Sequence, residues 1–506
     1  MNTKLRFVAI LLCLLFVMPI ASGYAGAPDP SALEPVHLVG YVPGDPSPDS
    51  DKMMAVLNEM LTRDINATIE FKYLNWGEFF DKYPLLFTTD EDFDFVYIAS
   101  WNSYLEHMVK GAYLDITDLL PVYAPDIVAT ADPDTWKSTS YQGRVYGIPH
   151  DGRDRQTAPG TVYREDLRKK YGVPELTGIE QVGEYIAAIK ENEPLMARVS
   201  KDAVNNNLLL RYAQFEKTGW SFDWYGMVYD REDPDAKLFL KYETPEYRDL
   251  IALMVDWQQK GYWDTSVMDN VDFVNQVAES PFGQGLSAFF GTGTGAFNNV
   301  LDYIRDENLD WEANMWWTKS PSGHIDKSDT LNDGVSIGVN SKNPERALMA
   351  INLLLTQRDY QWLLPYGIEN EHYVIGEDGW GMLPEGVTSD NTRYYFWLHP
   401  FSWFLYDTGS FPPPRETPAY ALELEMDAIA NAQTLLGFQF DTSELGTEMA
   451  ALNDIWVEYE IPLSWGFIQG ASIEEDIANL VAKQKAAGMD KVLEEAQQQI
   501  DAFLGK

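Results

Sequence analysis

Tryptophan side chains are the groups in this chain that could bind a ligand by stacking. Trp101 follows a short run of alternating aromatic and aliphatic residues. Trp220 and Trp224 lie in an aromatic segment flanked by glycines, and Trp316 belongs to a Trp-Trp pair. A large indole can cover the apolar face of a sugar ring, or it can pack inside a core. The residues alone leave both interpretations open at these positions.

Other patterns that could carry chemistry are weaker. Aspartates alternate over 90–94 as in a calcium loop, but Phe95 and Trp101 occupy the positions that need Gly and Glu. The glycine-rich run 291–295 lacks the spacing of a phosphate cradle, which favours a turn leading into a helix. The six histidines include no pair at zinc-helix spacing, and no Gly-x-Ser-x-Gly elbow occurs. We therefore predict no catalytic residue, no metal site and no cofactor.

The charge balance argues against several partners. The chain has 37 lysines and arginines against 78 aspartates and glutamates, a formal net charge of −41. Nucleic acids and anionic lipid surfaces are bound through basic patches, so neither is expected as a partner. A polyanionic substrate is disfavoured too, unless a local basic pocket exists. A solvated, self-repelling surface suits an exported protein.

The N-terminal residues have the pattern of an export signal. Lys4 and Arg6 form a basic segment, Phe7 to Met18 an apolar one, and small residues follow. The apolar run is shorter than the ~20 residues that a spanning helix needs, so residues 1–25 are predicted to be a signal peptide. Cys13, the only cysteine, lies inside the apolar run and not after small residues at its end. We therefore expect no lipid anchor on it, and no disulfide in the exported chain.

The order of the predicted elements indicates an α/β fold. A strand-like run at 36–42 is followed by a helical period over 51–65 and an alternating strand at 67–74. Such β-α-β order predicts a doubly wound, largely parallel sheet. Ligands of these sheets bind beyond the carboxyl ends of the strands. That rule points to Asp45, just after the first strand, and to Trp101.

Several motifs in a fixed order resemble a known family. They are Trp76-Gly77-Glu78, the run 93–101, Lys110-Gly111-Ala112 with Leu119-Leu120, the stretch 141–149 followed by Tyr163 to Leu167, Asn343-Pro344-Glu345, and Gly437 to Asp441 with the helical end of the chain. Together they resemble the extracellular solute-binding proteins of bacterial ABC importers, family 1, in their lipoprotein-type oligosaccharide-binding branch. The resemblance runs over nearly all of the chain after the signal peptide.

The resemblance implies a two-lobed type II periplasmic-binding-protein fold, with a doubly wound, mostly parallel sheet in each lobe and a C-terminal helical extension. Lobe one would comprise residues 28–148 and 296–370, and lobe two residues 149–295 and 371–506. The ligand would lie between the lobes, held by stacking and by carboxylates, amides and arginines. The expected ligand-binding residues are Trp101, Asp45, Trp220, Trp224, Trp316, Asp333 and Arg153.

The implied function is delivery of a small-molecule ligand, an oligosaccharide by family resemblance, to the membrane permease of an ABC importer. The protein is expected to be extracytoplasmic and monomeric. A secreted carbohydrate-active enzyme is the alternative, because the aromatic segments would also suit a glycoside hydrolase. Among 78 acidic residues, however, a pair of carboxylates is no signal of hydrolysis.

Overall fold

The computed structural model describes residues 32–89, 91–131, 133–149, 156–157, 160–193, 196, 207–263, 265–268, 277–327, 330–377, 379–388, 391–394, 401 and 416–506. The predicted signal peptide, Cys13 and Arg153 lie outside the described residues.

Strands and helices alternate through the first part of the chain, and helices dominate its end. The strands are β1 (Val36–Pro43), β2 (Ala67–Leu74), β3 (Phe95–Ile98), β4 (Ser140–Tyr141), β5 (Arg144–Val145), β6 (Ile148–Pro149), β7 (Gln156–Thr157), β8 (Gly160–Arg164), β9 (Trp220–Trp224), β10 (Met227–Asp230), β11 (Phe239–Leu240), β12 (Phe289–Thr292), β13 (Ala313–Trp317), β14 (Ile325–Lys327), β15 (Gly334–Ile337), β16 (Val374–Ile375), β17 (Gly381–Met382) and β18 (Ala430–Asn431). The helices are α1 (Ser50–Ile65), α2 (Trp76–Lys82), α3 (Tyr104–Val109), α4 (Leu120–Tyr123), α5 (Pro125–Thr130), α6 (Glu165–Lys170), α7 (Ile179–Asn192), α8 (Leu208–Thr218), α9 (Pro245–Gln259), α10 (Gly293–Asp306), α11 (Pro344–Thr356), α12 (Arg358–Tyr366), α13 (Pro418–Asp427), α14 (Gly446–Ile455), α15 (Ile461–Ser464), α16 (Ile473–Ala486) and α17 (Met489–Phe503). None of the described helices is both long and apolar enough to cross a membrane.

A five-stranded sheet forms the centre of the first lobe, in the order β2-β1-β3-β15-β6. β1 is parallel to β2 and β3, whereas β15 is antiparallel to both β3 and β6. Four of the five strands therefore run the same way, as the β-α-β pattern predicts. At Gly40 the ring of Phe95 occupies the space where a Cβ would stand, so glycine is required for this close packing of β3 on β1.

Helices cover both faces of this sheet. α1 buries Met53, Leu57, Leu61 and Ile65, which recur at helical spacing, and it ends where Asn66 adopts a left-handed conformation. α11 is buried from Arg346 to Thr356 and packs in the same core. A second core on this lobe consists largely of aromatic side chains from α2, β3 and α3. The doubly wound prediction is confirmed for the first lobe.

The chain leaves the first lobe after a predicted hairpin. β4 and β5 pair across Gln142 and Gly143, which both have positive φ, as a two-residue hairpin requires. β6 then joins the first sheet, and β7 already pairs with β14 of the second lobe. The crossing therefore lies between residues 149 and 156.

The second lobe is built on three small sheets. β8 lies between β12 and β13 and is antiparallel to both. The other sheets have the orders β11-β10-β9 and β18-β14-β7. The expectation of a mostly parallel sheet is wrong for the strand pairs of this central sheet: β12 and β13, joined through α10, run the same way, but β8 lies between them and runs the opposite way, so both pairs are antiparallel.

The lobe boundaries also differ from the prediction. All five residues of β13 pair with β8, and α10 packs on the same sheet, so residues 296–327 belong to the second lobe. The chain returns to the first sheet only between β14 and β15. Residues 371–394 belong to the first lobe, where Arg393 and His372 contact Asp49 and Tyr394 joins the core. The first lobe thus comprises the described residues within 32–149 and 330–401, and the second lobe those within 156–327 and 416–506.

The C-terminal helices complete the second lobe. Leu452, Val492 and Ile500 form a core with Met227 and Tyr229 of β10. One segment of this region reaches the first lobe, where the Gln439 side-chain amide donates to the Ser138 carbonyl at 2.7 Å. The C-terminal region therefore contacts both lobes.

Candidate functional site

The carboxyl edge of the first sheet gathers side chains that are distant in sequence. Asp45 follows β1, Asn75 follows β2, and Trp101 lies three residues beyond β3. Because β15 runs the opposite way, its first residues lie at this same edge, which brings Asn332 and Asp333 beside them. The parallel part of the fold thus places polar and aromatic groups along one line.

Aromatic rings at this edge are open to solvent. Trp101 is 45% exposed, Trp76 39% and Phe80 62%. The ring centroid of Trp101 lies 6.1 Å from that of Trp76 and 6.2 Å from that of Phe80. Phe79 is fully buried beneath them, 6.3 Å from Trp101. We name Trp76, Phe80 and Trp101 the aromatic edge; it is an apolar surface held from below by a rigid ring.

Hydrogen bonds fix the orientation of this edge. The Trp101 Nε1–H donates to the Asn332 carbonyl at 2.9 Å, which ties the loop after β3 to the start of β15. The Asn75 Nδ2 donates to both Asp45 oxygens, at 2.9 and 2.7 Å, while its Oδ1 accepts from the Gly77 amide and caps α2. Asp45 is exposed and therefore accessible to the hydroxyls of a ligand.

Asp333 has a different environment from Asp45. It is only 7% exposed, and its Oδ1 accepts from the Tyr97 hydroxyl at 2.6 Å. Burial and then the negative charge of Asp333 raise the pKa of Tyr97 far above its ordinary value. Asp333 also accepts from Asn332, at 3.2 Å. In this conformation the Asp333 carboxylate orients Tyr97 and Asn332, and little of its surface is accessible to a ligand.

The predicted tryptophans of the second lobe are less accessible. Trp316 is fully buried in β13, edge-on to Tyr212, so its indole is part of the core and out of a ligand's reach. Both faces of β13 are covered here, since the preceding residue, Met315, is buried too; the next residue, Trp317, is half-buried with the Lys319 ammonium 5.3 Å from its ring. Trp220 is half-buried against Phe239.

Trp224 lies at a cavity. The cavity has a volume of about 250 Å³, is partly open to solvent, and is lined by α8, the β9–β10 hairpin and the helices α14 and α15. Its lining residues are Asn207, Leu210, Arg211, Gln214, Asp223, Trp224, Tyr225, Lys241, Asn453, Trp456, Glu460, Ile461 and Ser464. We call it the second-lobe cavity. Sequence analysis identifies only Trp224 among these residues.

A buried ion network forms one wall of this cavity. The Lys241 Nζ donates to both oxygens of Asp223 at 2.9 Å and lies 3.1 Å from Glu460 Oε1. Gln214 adds a hydrogen bond to Asp223 at 3.2 Å. Burial opposes the charge on Lys241, but Asp223 and Glu460 outweigh it and raise the pKa of Lys241. Burial likewise opposes the charge on Asp223, but Lys241 and Arg211 outweigh it and lower the pKa of Asp223.

Asp49, Glu371 and His372 come close enough together to suggest a cation site. Their ligand atoms, however, already have partners. His372 Nδ1 accepts from the Ile368 amide, which leaves the proton on Nε2, 3.3 Å from Asp49. Arg393 donates to Asp49, and Lys52 to Glu371. These residues fasten the segment after α12 to α1, a structural role.

Sequence reasoning missed several residues of the edge. Asn75, Trp76, Phe80 and Asn332 are all exposed there, yet none is among the predicted ligand-binding residues, and Trp76 enters only as part of a family motif. The rule that pointed to Asp45 applies equally to the end of β2, so Asn75 and Trp76 could have been found. Asn332 could not, because only the pairing of β15 with β3 brings it to the edge. Arg153 lies outside the described residues.

The described chain thus forms two lobes, with exposed aromatic rings at one sheet edge of the first lobe. A family model described as bacterial extracellular solute-binding protein matches residues 47–360. The chain therefore belongs to the family of bacterial extracellular solute-binding proteins. A second model, a domain of unknown function (DUF3502), matches residues 434–505, the C-terminal helices.

Known proteins resemble the chain over most of its length. A carbohydrate ABC transporter substrate-binding protein of Streptococcus pneumoniae serotype 4 is 24% identical over 484 residues, 92% of this chain and 90% of the relative. The crystal structure of the N-glycan transport solute binding protein NgtS from Streptococcus pneumoniae has a TM-score of 0.75 at 21% identity, covering 94% of this chain and 100% of that one. The alginate-binding protein AlgQ2 has a TM-score of 0.61 at 16% identity, covering 92% of this chain and 98% of that one. These structures confirm the type II periplasmic-binding-protein fold.

Proposed function

We propose that this protein binds a glycan at the aromatic edge of its first lobe and delivers it to an ABC importer. The observation that carries the proposal is the exposure of Trp76, Phe80 and Trp101 at the carboxyl ends of parallel strands. Family membership and the carbohydrate ligands named for the relatives support it.

The chemistry of the edge suits a sugar. Each pyranose has an apolar face, which an indole covers with loss of water from both surfaces. Around the rings, the exposed Asp45 carboxylate and the Asn332 side-chain amide offer hydrogen bonds to ring hydroxyls. The edge is fixed from below by Phe79 and by the Trp101–Asn332 bond, so little ordering is required on binding.

The first experiment measures glycan affinity by calorimetry with the wild type and Trp101→Ala. The panel includes Man1GlcNAc and Man5GlcNAc, which are bound to NgtS in two of its crystal structures, and kestose, bound to FusA in another. We expect Trp101→Ala to weaken binding by about 1–3 kcal/mol, the range measured for stacking of bases on aromatic side chains. Phe503→Ala, at a residue of similar exposure on α17, is the matched control and should bind as the wild type does. Equal affinity in Trp101→Ala would contradict the proposed site.

Binding without turnover is part of the proposal. The competing function, a glycoside hydrolase, predicts new reducing ends when an oligosaccharide that binds is incubated with the protein. We expect none to form. Steady release of reducing ends by the wild type, lost in Asp45→Asn, would establish the enzyme instead.

We further propose an extracytoplasmic monomer that docks on a membrane permease. The export signal predicted in residues 1–25 and the family assignment support the location. Light scattering after gel filtration measures the oligomeric state. The intact mass of protein from its native host decides whether Cys13 is lipidated, and we expect a chain cleaved beyond Cys13 with no lipid.

A further inference from the structure

The second-lobe cavity contains polar groups that the fold itself does not use. Among the described residues, the Arg211 side chain makes no hydrogen bond and no ion pair, although it lines the cavity; only the backbone amide of Arg211 is engaged, by the Asn207 carbonyl. Gln214 is 3% exposed, and only its Nε2 is engaged, so its Oε1 remains free as an acceptor. Asn453 accepts from the Tyr225 hydroxyl, which leaves its Nδ2 free as a donor. Donors and an acceptor thus line one partly open pocket.

We propose that this cavity binds a single neutral sugar ring, as a second carbohydrate site in the second lobe; the identity of the ligand class rests on the proposed function. Arg211 and Asn453 would donate to ring hydroxyls, and Gln214 would accept from one. Half-buried Trp224 and Trp456 supply apolar surface for the ring's C–H face.

The balance of charge indicates a neutral ligand. Arg211 and Lys241 carry two positive charges on the cavity wall, and Asp223 and Glu460 carry two negative ones. Lys241 is engaged by both carboxylates, so its charge is neutralised inside the protein. An anionic sugar would meet Arg211 with Asp223 nearby, and repulsion from that carboxylate would offset the attraction.

The size of the cavity limits its occupant to one ring. Sites for drug-sized ligands range over about 300–1,000 Å³. At about 250 Å³, the second-lobe cavity is slightly smaller than that range. An oligosaccharide could therefore place only one of its rings there.

An irregular helix supplies part of the cavity wall. Residues Trp456–Glu460 form a π-helical turn between α14 and α15, and the Ile461 amide bonds back to the Trp456 carbonyl. Pro462 lacks the amide that would bond the Glu458 carbonyl, and Gln469 donates to that carbonyl instead, at 3.0 Å. Both ends of the turn, Trp456 and Glu460, line the cavity. Such turns occur frequently at functional sites.

The test uses saturation-transfer NMR and calorimetry on the full chain. The probes are mannose, glucose, galactose and N-acetylglucosamine, with glucuronate and galacturonate as anionic counterparts. Arg211→Gln and Asn453→Ala alter exposed residues and should fold normally. Arg248→Gln, on an exposed arginine of the same lobe that pairs with Glu474, is the matched control.

We expect at least one neutral sugar to bind, with Arg211→Gln weakening it tenfold or more, while Arg248→Gln binds it as the wild type does. No saturable binding of any neutral sugar, or equal binding by Arg211→Gln, would overturn the inference. Tighter binding of the uronates than of the neutral sugars would also overturn it, in favour of an anion site.

If Trp101→Ala loses oligosaccharide binding while Arg211→Gln has no effect on any probe, only this inference fails and the proposed function stands. If the wild type binds none of the oligosaccharides, the proposed function fails, whatever the single sugars do.

Discussion

The aromatic edge of the first lobe and the second-lobe cavity are two contrasting ways to hold a polar ligand. The edge presents three exposed rings on a surface and has one accessible carboxylate, Asp45. The cavity is a partly open recess, and its wall contains a buried lysine between two carboxylates. The first arrangement depends on apolar contact, which tolerates many sugars. The second depends on directed hydrogen bonds, which select among them.

The contrast begins in the chain topology. Strand ends in the first lobe place residues at one edge by the direction of the sheet alone. The cavity instead collects α8, a hairpin and the C-terminal helices, whose positions depend on packing between segments some 250 residues apart, as in the 2.7 Å bond from Asn207 to the Ser464 carbonyl. We therefore expect stability and binding to be separable at the edge and closely linked at the cavity.

The largest difference is expected between two tryptophans. Trp316→Ala removes a fully buried indole and should lower the free energy of unfolding by about 3–5 kcal/mol. Trp101→Ala removes a half-exposed one and should change it by no more than about 1 kcal/mol. Urea titrations followed by circular dichroism measure both. A large loss of stability in Trp101→Ala would mean that this indole closes the core instead of binding a ligand.

Lysines of the second lobe provide the next comparison. Lys241→Met leaves Asp223 and Glu460 buried without a counter-charge, which should cost about 3–5 kcal/mol of stability. Lys217→Met breaks an exposed pair with Glu180 and should cost no more than about 1 kcal/mol. Chemical denaturation measures the free energy of unfolding of the two variants. Equal, small effects would show that water reaches the cavity network and screens it.

Two helix caps should have similar effects on stability and different effects on binding. Asn75 caps α2 at the edge, and Thr244 caps α9, where its hydroxyl accepts from the Tyr247 amide at 3.2 Å. Replacing either by alanine should cost about 1 kcal/mol of stability. Only Asn75→Ala also releases Asp45, so it alone should change glycan affinity in calorimetry. If Thr244→Ala changed that affinity equally, the edge would not be the site.

As the pH falls, the first lobe should lose stability before the second lobe does. This is the smallest of the expected effects. Burial lowers the pKa of His107, which packs against Tyr83 and Phe87, so the first lobe loses stability as pH falls below about 6.5. The pKa of Asp223 is lowered by Lys241 and Arg211 against the effect of burial, so its contribution to the second lobe persists until pH falls below about 4. Melting temperatures are measured as a function of pH in the wild type, His107→Gln and Asp223→Asn. They distinguish the loss of stability due to His107 from that due to Asp223. A wild-type curve that is flat between pH 6.5 and 5, or unchanged in His107→Gln, would contradict the first assignment.

Local patterns sufficed to predict the parallel strands of the first lobe and failed where pairing is long-range. The alternation of strands and helices up to residue 98 predicts the parallel strands, and the strand-end rule leads to Asp45 and Trp101. No pattern in the sequence of β13 predicts its pairing with β8, so the predicted lobe boundary at residue 296 is wrong. The cavity could not be predicted for the same reason, because its residues belong to segments with no shared motif. Trp224 was identified only because aromatics cluster around it.

The insertion of β15 between β3 and β6 has a consequence for how the protein is made. β3 has its partner on one side in β1, but its other partner lies 236 residues further on, at Gly334. At about 5–20 residues per second, a ribosome needs on the order of 10 to 50 seconds to reach it. During that time the β3 edge has unpaired backbone groups next to Phe95 and Tyr97, a template for aggregation. The nascent chain should therefore depend on a holding chaperone until residue 337 has emerged.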